Sequence, residues 1–294
     1  MDELILVSRA IHFAALALLL GAPLFRLAIS PHGSARGGPG GRRIELAAAA
    51  VALASALGWF AGVAASMAGS WPDAFAPDML QTVAFDTHFG RLWVARLAAM
   101  VVILAMEAWP RPTFAKDIGL AFLVGAVAMS LVGTGHGMAG EGTLGPVHVV
   151  ADMTHLLCAM GWIGGLFCLG EVLHRATRDD AAGQDLWRVL PRFSRIGYWL
   201  VAALLISGCV NALILVPRPD SLLTSAYGRV LLIKLGLVAI MVAVAIYNRV
   251  VLTAQVMAST NGARALWRSV LVEQGVGLAV LATVALLGTI HPVP

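Results

Sequence analysis

Charge is scarce in this chain. Asp, Glu, Lys and Arg make up 12% of its 294 residues, against 59% hydrophobic, where a soluble globular chain carries about a quarter charged residues. That shortage excludes a water-soluble domain. Cysteine is nearly absent: Cys158, Cys168 and Cys209 lie inside apolar runs with no CxxC pair, and read as small buried hydrophobes. No Walker loop, dinucleotide fingerprint, GxSxG or HExxH occurs, so neither ATPase machinery nor a nucleophilic triad is expected, and the chain does not read as an enzyme. The strand alternation of a membrane barrel is missing. So is any basic run with interleaved aromatics, and the net charge of +4 therefore does not point to nucleic acid. The start of the chain is acidic, Asp2 and Glu3, without the basic region of a cleaved leader, so the first apolar run is expected to stay as a helix.

What is present is a series of apolar runs near the roughly 20 residues that a spanning helix needs. Eight are read: Leu4 to Ile29, Ile44 to Ala68, Phe89 to Ala108, Ile118 to Gly135, Val147 to Leu173, Phe193 to Val216, Gly228 to Val251 and Leu266 to Ile290. Pro- and Gly-rich stretches punctuate them. The fold class is therefore all-α: a polytopic integral membrane protein of eight transmembrane helices, forming a single domain over residues 1–294. Fourteen of the twenty Lys and Arg residues fall on one set of connections, among them Arg26, Arg42, Lys116, Arg175, Arg192, Arg249 and Arg268. The positive-inside rule makes that side cytoplasmic and both termini periplasmic.

An internal repeat is legible. Tyr227-Gly228-Arg229 with Lys234 echoes Phe89-Gly90-Arg91 with Arg96, and His155 precedes Gly164 by the same nine residues that separate His12 from Gly21. Helices one to four would then echo five to eight as half-repeats 1–140 and 141–294. An even number of helices per half makes such repeats parallel.

The candidate chemistry gathers around residues 133–167. His136 and Met138 sit in a glycine-rich turn, and His148, Asp152 and His155 follow at i, i+4 and i+7 on one helical face. His148 and His155 are about 10 Å apart along the helix, too far for one ion to bind both. Asp152 instead suits the role of orienting an imidazole through its second nitrogen. His12 and His155 each lie roughly 12 Å below the outer surface by helix rise, and intramembrane histidines at matched depth point to function. Imidazole with thioether suits copper better than magnesium or calcium, although spacing alone does not separate copper from zinc. Asn211, Lys234, Asn248 and Glu273 are polar residues at depth, candidates to line a pathway. Glu273 is expected either to pair with Arg249 or Arg195 or to receive a cation or proton from the histidine ladder. The same His12 and His155 could instead be the axial ligands of a b-type haem in a membrane redox protein. His32 and His174 read as solvated on the cytoplasmic side.

Several segments together resemble the copper resistance protein D family of bacterial inner-membrane proteins. They are Arg9-Ala10-Ile11-His12-Phe13, Thr87 to Trp93 (THFGRLW), Gly135-His136-Gly137, His148, Asp152-Met153-Thr154-His155-Leu156 and Trp162-Ile163-Gly164-Gly165-Leu166. Further along come Arg192-Phe193-Ser194, Ser207-Gly208-Cys209-Val210-Asn211-Ala212, Tyr227-Gly228 through Lys234, and Asn248-Arg249. The resemblance implies copper transport or homeostasis at the inner membrane; it leaves the direction open, and import is the direction preferred here. It also implies a small periplasmic copper-binding partner of the CopC type, and metal-ligand roles for His12, His136, His148 and His155. Some relatives carry His where this chain has Asp152, which leaves one soft ligand fewer.

Overall fold

In lipid a backbone must satisfy its own hydrogen bonds, so apolar runs of this length close into helices. The computed structural model describes residues 1–29, 39–110, 113–134, 145–178, 185–215, 220–258 and 260–290. It contains eight long helices: α1 (Asp2–Ala28), α2 (Pro39–Ala68), α3 (His88–Ala108), α4 (Phe114–Ser130), α5 (Gly145–Ala176), α6 (Leu186–Leu215), α7 (Ala226–Tyr247) and α8 (Thr260–Leu287). All eight are long and apolar enough to cross a membrane, and the chain is a multi-pass membrane protein. His136 and Met138 lie outside the described residues.

The eight expected spans are all present, with shifted ends. α6 begins seven residues before the expected Phe193 and runs through Pro191. The chain continues helically past α7 as a π-helical turn, Asn248–Leu252, and a short helix, Thr253–Ala258. Ahead of α3 the chain forms short helices at Trp71–Ala74 and Pro77–Gln81 and a π-helical turn at Thr82–Asp86.

α1 and α5 are the centre of the bundle. α1 packs on α2, α4, α5 and α8, and α5 packs on α1, α4, α6 and α8. They cross at Gly21 and Gly164, where a Cβ on either would overlap the other helix's backbone; one on Gly164 would also strike the Ala17 carbonyl. Paired glycines let two backbones meet directly, which favours packing where lipid supplies no hydrophobic drive. α3 seals against α2 on one side of this pair. On the other side α6 packs on α5 with almost no direct contact to α7. Outward faces are apolar: Phe122, Trp199 and Leu213 are each more than three-quarters exposed to the surroundings, as lipid-facing side chains are.

The aromatic-Gly-Arg segments open α3 and α7 in the same way. Thr87 and Ser225 are the N-caps, their hydroxyls accepting from the Gly90 and Gly228 amides at 2.8 and 2.9 Å. Each hydroxyl also donates back to the preceding turn, to Val83 and Ser221 respectively. Gly90 and Gly228 lie against those same turns so closely that a Cβ would collide with backbone.

At the arginine-rich end a buried ion network ties three helices together. Arg26 of α1 binds Glu45 of α2 at 2.7 Å and Asp117 of α4 at 2.9 Å. Lys116 approaches the buried Glu107 at 3.5 Å. Cys158 and Cys168 are half-buried and Cys209 is exposed on the apolar surface; all three are free thiols. His174 departs from the solvated role expected of it: it is half-buried, with its ring 5.0 Å from that of Trp267.

Candidate metal site

His12 and His155 are held by the same device. His12 Nδ1 lies 3.1 Å from the Ala52 carbonyl oxygen and 3.2 Å from Ser55 Oγ on α2. His155 Nδ1 lies 3.1 Å from the Leu204 carbonyl oxygen and 3.3 Å from Ser207 Oγ on α6. A carbonyl has no proton to give, so each Nδ1 carries the hydrogen and donates it. Each Nε2 is then left with a lone pair, the form of imidazole that binds a metal. The serine hydroxyls bond back into their own helices, Ser55 donating to the Ala52 carbonyl at 3.0 Å and Ser207 to the Ala203 carbonyl at 2.6 Å, with the Leu204 carbonyl at 3.2 Å.

The two surroundings differ. His12 is fully buried, with the rings of Trp59 and Trp93 at 6.1 and 6.5 Å. Arg9 caps this cluster from the histidine-bearing end, its guanidinium 4.7 Å over Trp59 and donating to the Gly288 carbonyl at 2.9 Å. Arg96 lies 4.2 Å over Trp93 and donates to Ser130. His12 Nε2 has no hydrogen-bond partner within this enclosure.

His155 is only half-buried and its neighbours are polar. Asp152 stands one turn away and accepts from Asn211 Nδ2 at 3.2 Å. Lys234 lies within electrostatic reach of both Asp152 and His155. Gly208 packs against the imidazole edge, where a Cβ would come within 3.1 Å of Cε1. His148, one turn beyond Asp152, is 1% exposed and its Nδ1 is unpartnered.

Among the described residues no three His, Cys, Asp or Glu side chains converge as a metal cluster. The structure groups Asp152, His155, Asn211 and Lys234, with His148 on the same helical face, and turns His12 toward α2 and α3. Glu273 and Asn248 lie elsewhere, toward the arginine-rich end. Asn248 Nδ2 donates to Glu273 Oε2 at 2.9 Å. This amide pairing replaces the expected ion pair with Arg249 or Arg195, because Arg249 instead lies 4.2 Å over the Tyr198 ring. Sequence reading missed Ser55, Ser207 and the two tryptophans. The available signal was the serine that precedes Trp59 and Asn211 by four residues in each case.

Comparison with known proteins gives a consistent picture. Residues 1–146 match the family model described as "Copper resistance protein D-like, N-terminal domain", and residues 187–287 match "Copper resistance protein D". The chain is 32% identical over 291 residues to the inner membrane protein YebZ of Escherichia coli (strain K12), covering 97% of each. It is 33% identical over 239 residues to copper resistance protein D of Pseudomonas syringae pv. tomato, covering 78% of this chain and 76% of that one. To the copper transport protein CutJ of Bacillus subtilis (strain 168) it is 29% identical over 295 residues, 97% of this chain and 52% of that one. No solved structure matches at a significant level.

Proposed function

The chain belongs to the copper resistance protein D family, and we propose that it passes copper ions across the bacterial inner membrane through the second half of its bundle. The observation that carries this reading is the paired imidazole device. Two histidines are each fixed through Nδ1 with Nε2 left free, and one of them, His155, sits beside a carboxylate in a half-open polar setting. The matched devices, caps and glycine crossing support a four-plus-four parallel repeat whose halves have diverged. Arg9, Trp59 and Arg96 enclose His12, while Asp152, Asn211 and Lys234 stand in the corresponding places around His155.

In this reading the arginine-rich end is cytoplasmic and both termini are periplasmic. His136 and Met138 at the mouth receive copper, with a periplasmic protein of the CopC type as donor. His148, Asp152 and His155 then hand it inward. Lys234 balances the Asp152 charge when no cation is present and yields to the arriving ion, since like charges so close in a low-dielectric setting repel strongly. His155 Nε2 is the soft donor, and Asn211 holds Asp152 in place. His12 is the enclosed counterpart, a second imidazole ligand with no proton on its free nitrogen. Import is the preferred direction.

The test is copper uptake into proteoliposomes containing the purified chain, together with elemental analysis and an absorption spectrum. His155→Ala is expected to lower uptake at least tenfold, while Cys209→Ala, on the exposed apolar surface, leaves it unchanged. Unchanged copper binding and uptake in both His155→Ala and His12→Ala would remove the assignment. A Soret band lost in His12→Ala would replace it with the haem reading.

A further inference from the structure

A second site, separate from the imidazole pathway, lies between α5, α6, α7 and α8 toward the arginine-rich end. Here a cavity of about 310 Å³ is walled by apolar side chains, among them Leu166, Val201, Val242 and Val270. The cavity exists because α6 packs on α5 and stands off from α7, whereas the α2–α3 seam on the other side of the bundle is packed shut. Its walls include Tyr198, Ile246 and Val250, each more than half exposed on the apolar surface, so it opens sideways to lipid. Arg249 lies over Tyr198 and bridges the two helices at the arginine-rich rim.

The floor is not apolar. Glu273 and Asn248 line the cavity and are 2% and 7% exposed. They satisfy each other through one bond; the Trp162 indole is a further donor beside the Glu273 carboxyl, Glu273 Oε1 makes no close hydrogen bond, and Asn248 Oδ1 is left without a partner. The π-helical turn Asn248–Leu252 places Asn248 at this point, and such turns concentrate at functional sites. A buried polar atom left unpaired is destabilising, so two in one apolar cavity call for a ligand. Asn248 Oδ1 is an acceptor, and so is Glu273 in its carboxylate form, so the ligand must bring donors. It must also be largely apolar and must reach the cavity through the bilayer. The rings of Trp162, Phe193 and Tyr198 on the wall favour a flat partner.

We infer that this cavity binds a membrane-soluble ring bearing hydroxyl donors, of the quinol class, with its hydroxyls on Glu273 and Asn248 and its tail leaving between α6 and α7. A quinone, which offers carbonyl oxygens in place of hydroxyls, meets two acceptors with two acceptors and binds poorly. A metal cation would meet two hard oxygens, a donor set unlike the imidazole path.

The experiment is titration of the full chain in lipid nanodiscs with decylubiquinol, with decylubiquinone and with copper alone, each corrected for partition into empty nanodiscs. Saturable binding of one quinol per chain is expected, at least tenfold tighter than quinone. Glu273→Gln keeps an acceptor but adds a donor, and reduces that preference to less than threefold. Val201→Trp fills the cavity without touching the polar pair and abolishes binding, while its helical spectrum and copper uptake stay at the parent level. Quinol binding no greater than in empty nanodiscs would overturn the inference. So would equal affinity for quinol and quinone, full binding by Val201→Trp, or saturation of this site by copper in place of quinol.

Discussion

Gly164→Ala is the sharpest test of how the bundle centre is built. The added methyl would overlap the Ala17 carbonyl and the Gly21 Cα, both backbone atoms of α1. No rotamer change relieves a clash with backbone, so α1 and α5 must part. Overpacking of a tight interior costs about 1–3 kcal/mol, and a clash with backbone alone belongs at the upper end. About 3 kcal/mol is on the order of a 100-fold loss in the folded-to-unfolded ratio. The internal control is Gly165→Ala, one residue along. Its Cβ would meet only the edge of the Phe193 ring at 3.3 Å, a side chain that can yield, so the expected cost is below about 1 kcal/mol. SDS-titration unfolding followed by circular dichroism measures both. Gly21→Ala should resemble Gly164→Ala, and the double variant should cost less than the two single costs added, because one separation of the helices relieves both clashes. Equal stability of the Gly164 and Gly165 variants would refute the close crossing.

Two further outcomes follow from the buried polar groups. Arg26→Ala strands Glu45 and Asp117, whose side chains are 12% and 9% exposed; removing one partner of a buried ion cluster costs about 3–5 kcal/mol, readable in the same SDS titration, and a loss under 1 kcal/mol would contradict the network. Trp93→Phe keeps the ring beside His12 but loses the indole bond to the Ala56 carbonyl at 3.1 Å; the expected cost in that titration is about 1–2 kcal/mol, without loss of copper uptake.

The eight spans were legible because lipid imposes one rule, long apolar runs, and the sequence obeys it eight times. The starts of α3 and α7 were legible as a repeated aromatic-Gly-Arg, since each needs a glycine where the helix begins against its own preceding turn. Counting residues gave His12 and His155 one expected depth. Direction around the helix axis was not legible. Nothing in the local pattern told that His12 turns to Ala52 and His155 to Leu204, because those acceptors are backbone atoms with no letter of their own. The early start of α6 escaped because residues 186 to 192 mix Trp187 and Leu190 with Arg188 and Arg192, which lowers the hydropathy. The Arg26 network escaped because its members come from α1, α2 and α4, and only folding brings them together. Glu273 was given the wrong partner for a related reason. Charge suggested an arginine, but the π-helical turn brings Asn248 to the carboxylate first.

The way the imidazoles are held has a bearing on how this architecture tolerates change. A main-chain oxygen cannot be edited away by swapping side chains. The residues supplying it, one an alanine and the other a leucine, are already dissimilar. Substitution at those two places therefore leaves ring tautomer and aim intact, and the side chains around the two rings can differ, tryptophan and arginine at one, asparagine and aspartate at the other, while each imidazole keeps its hold.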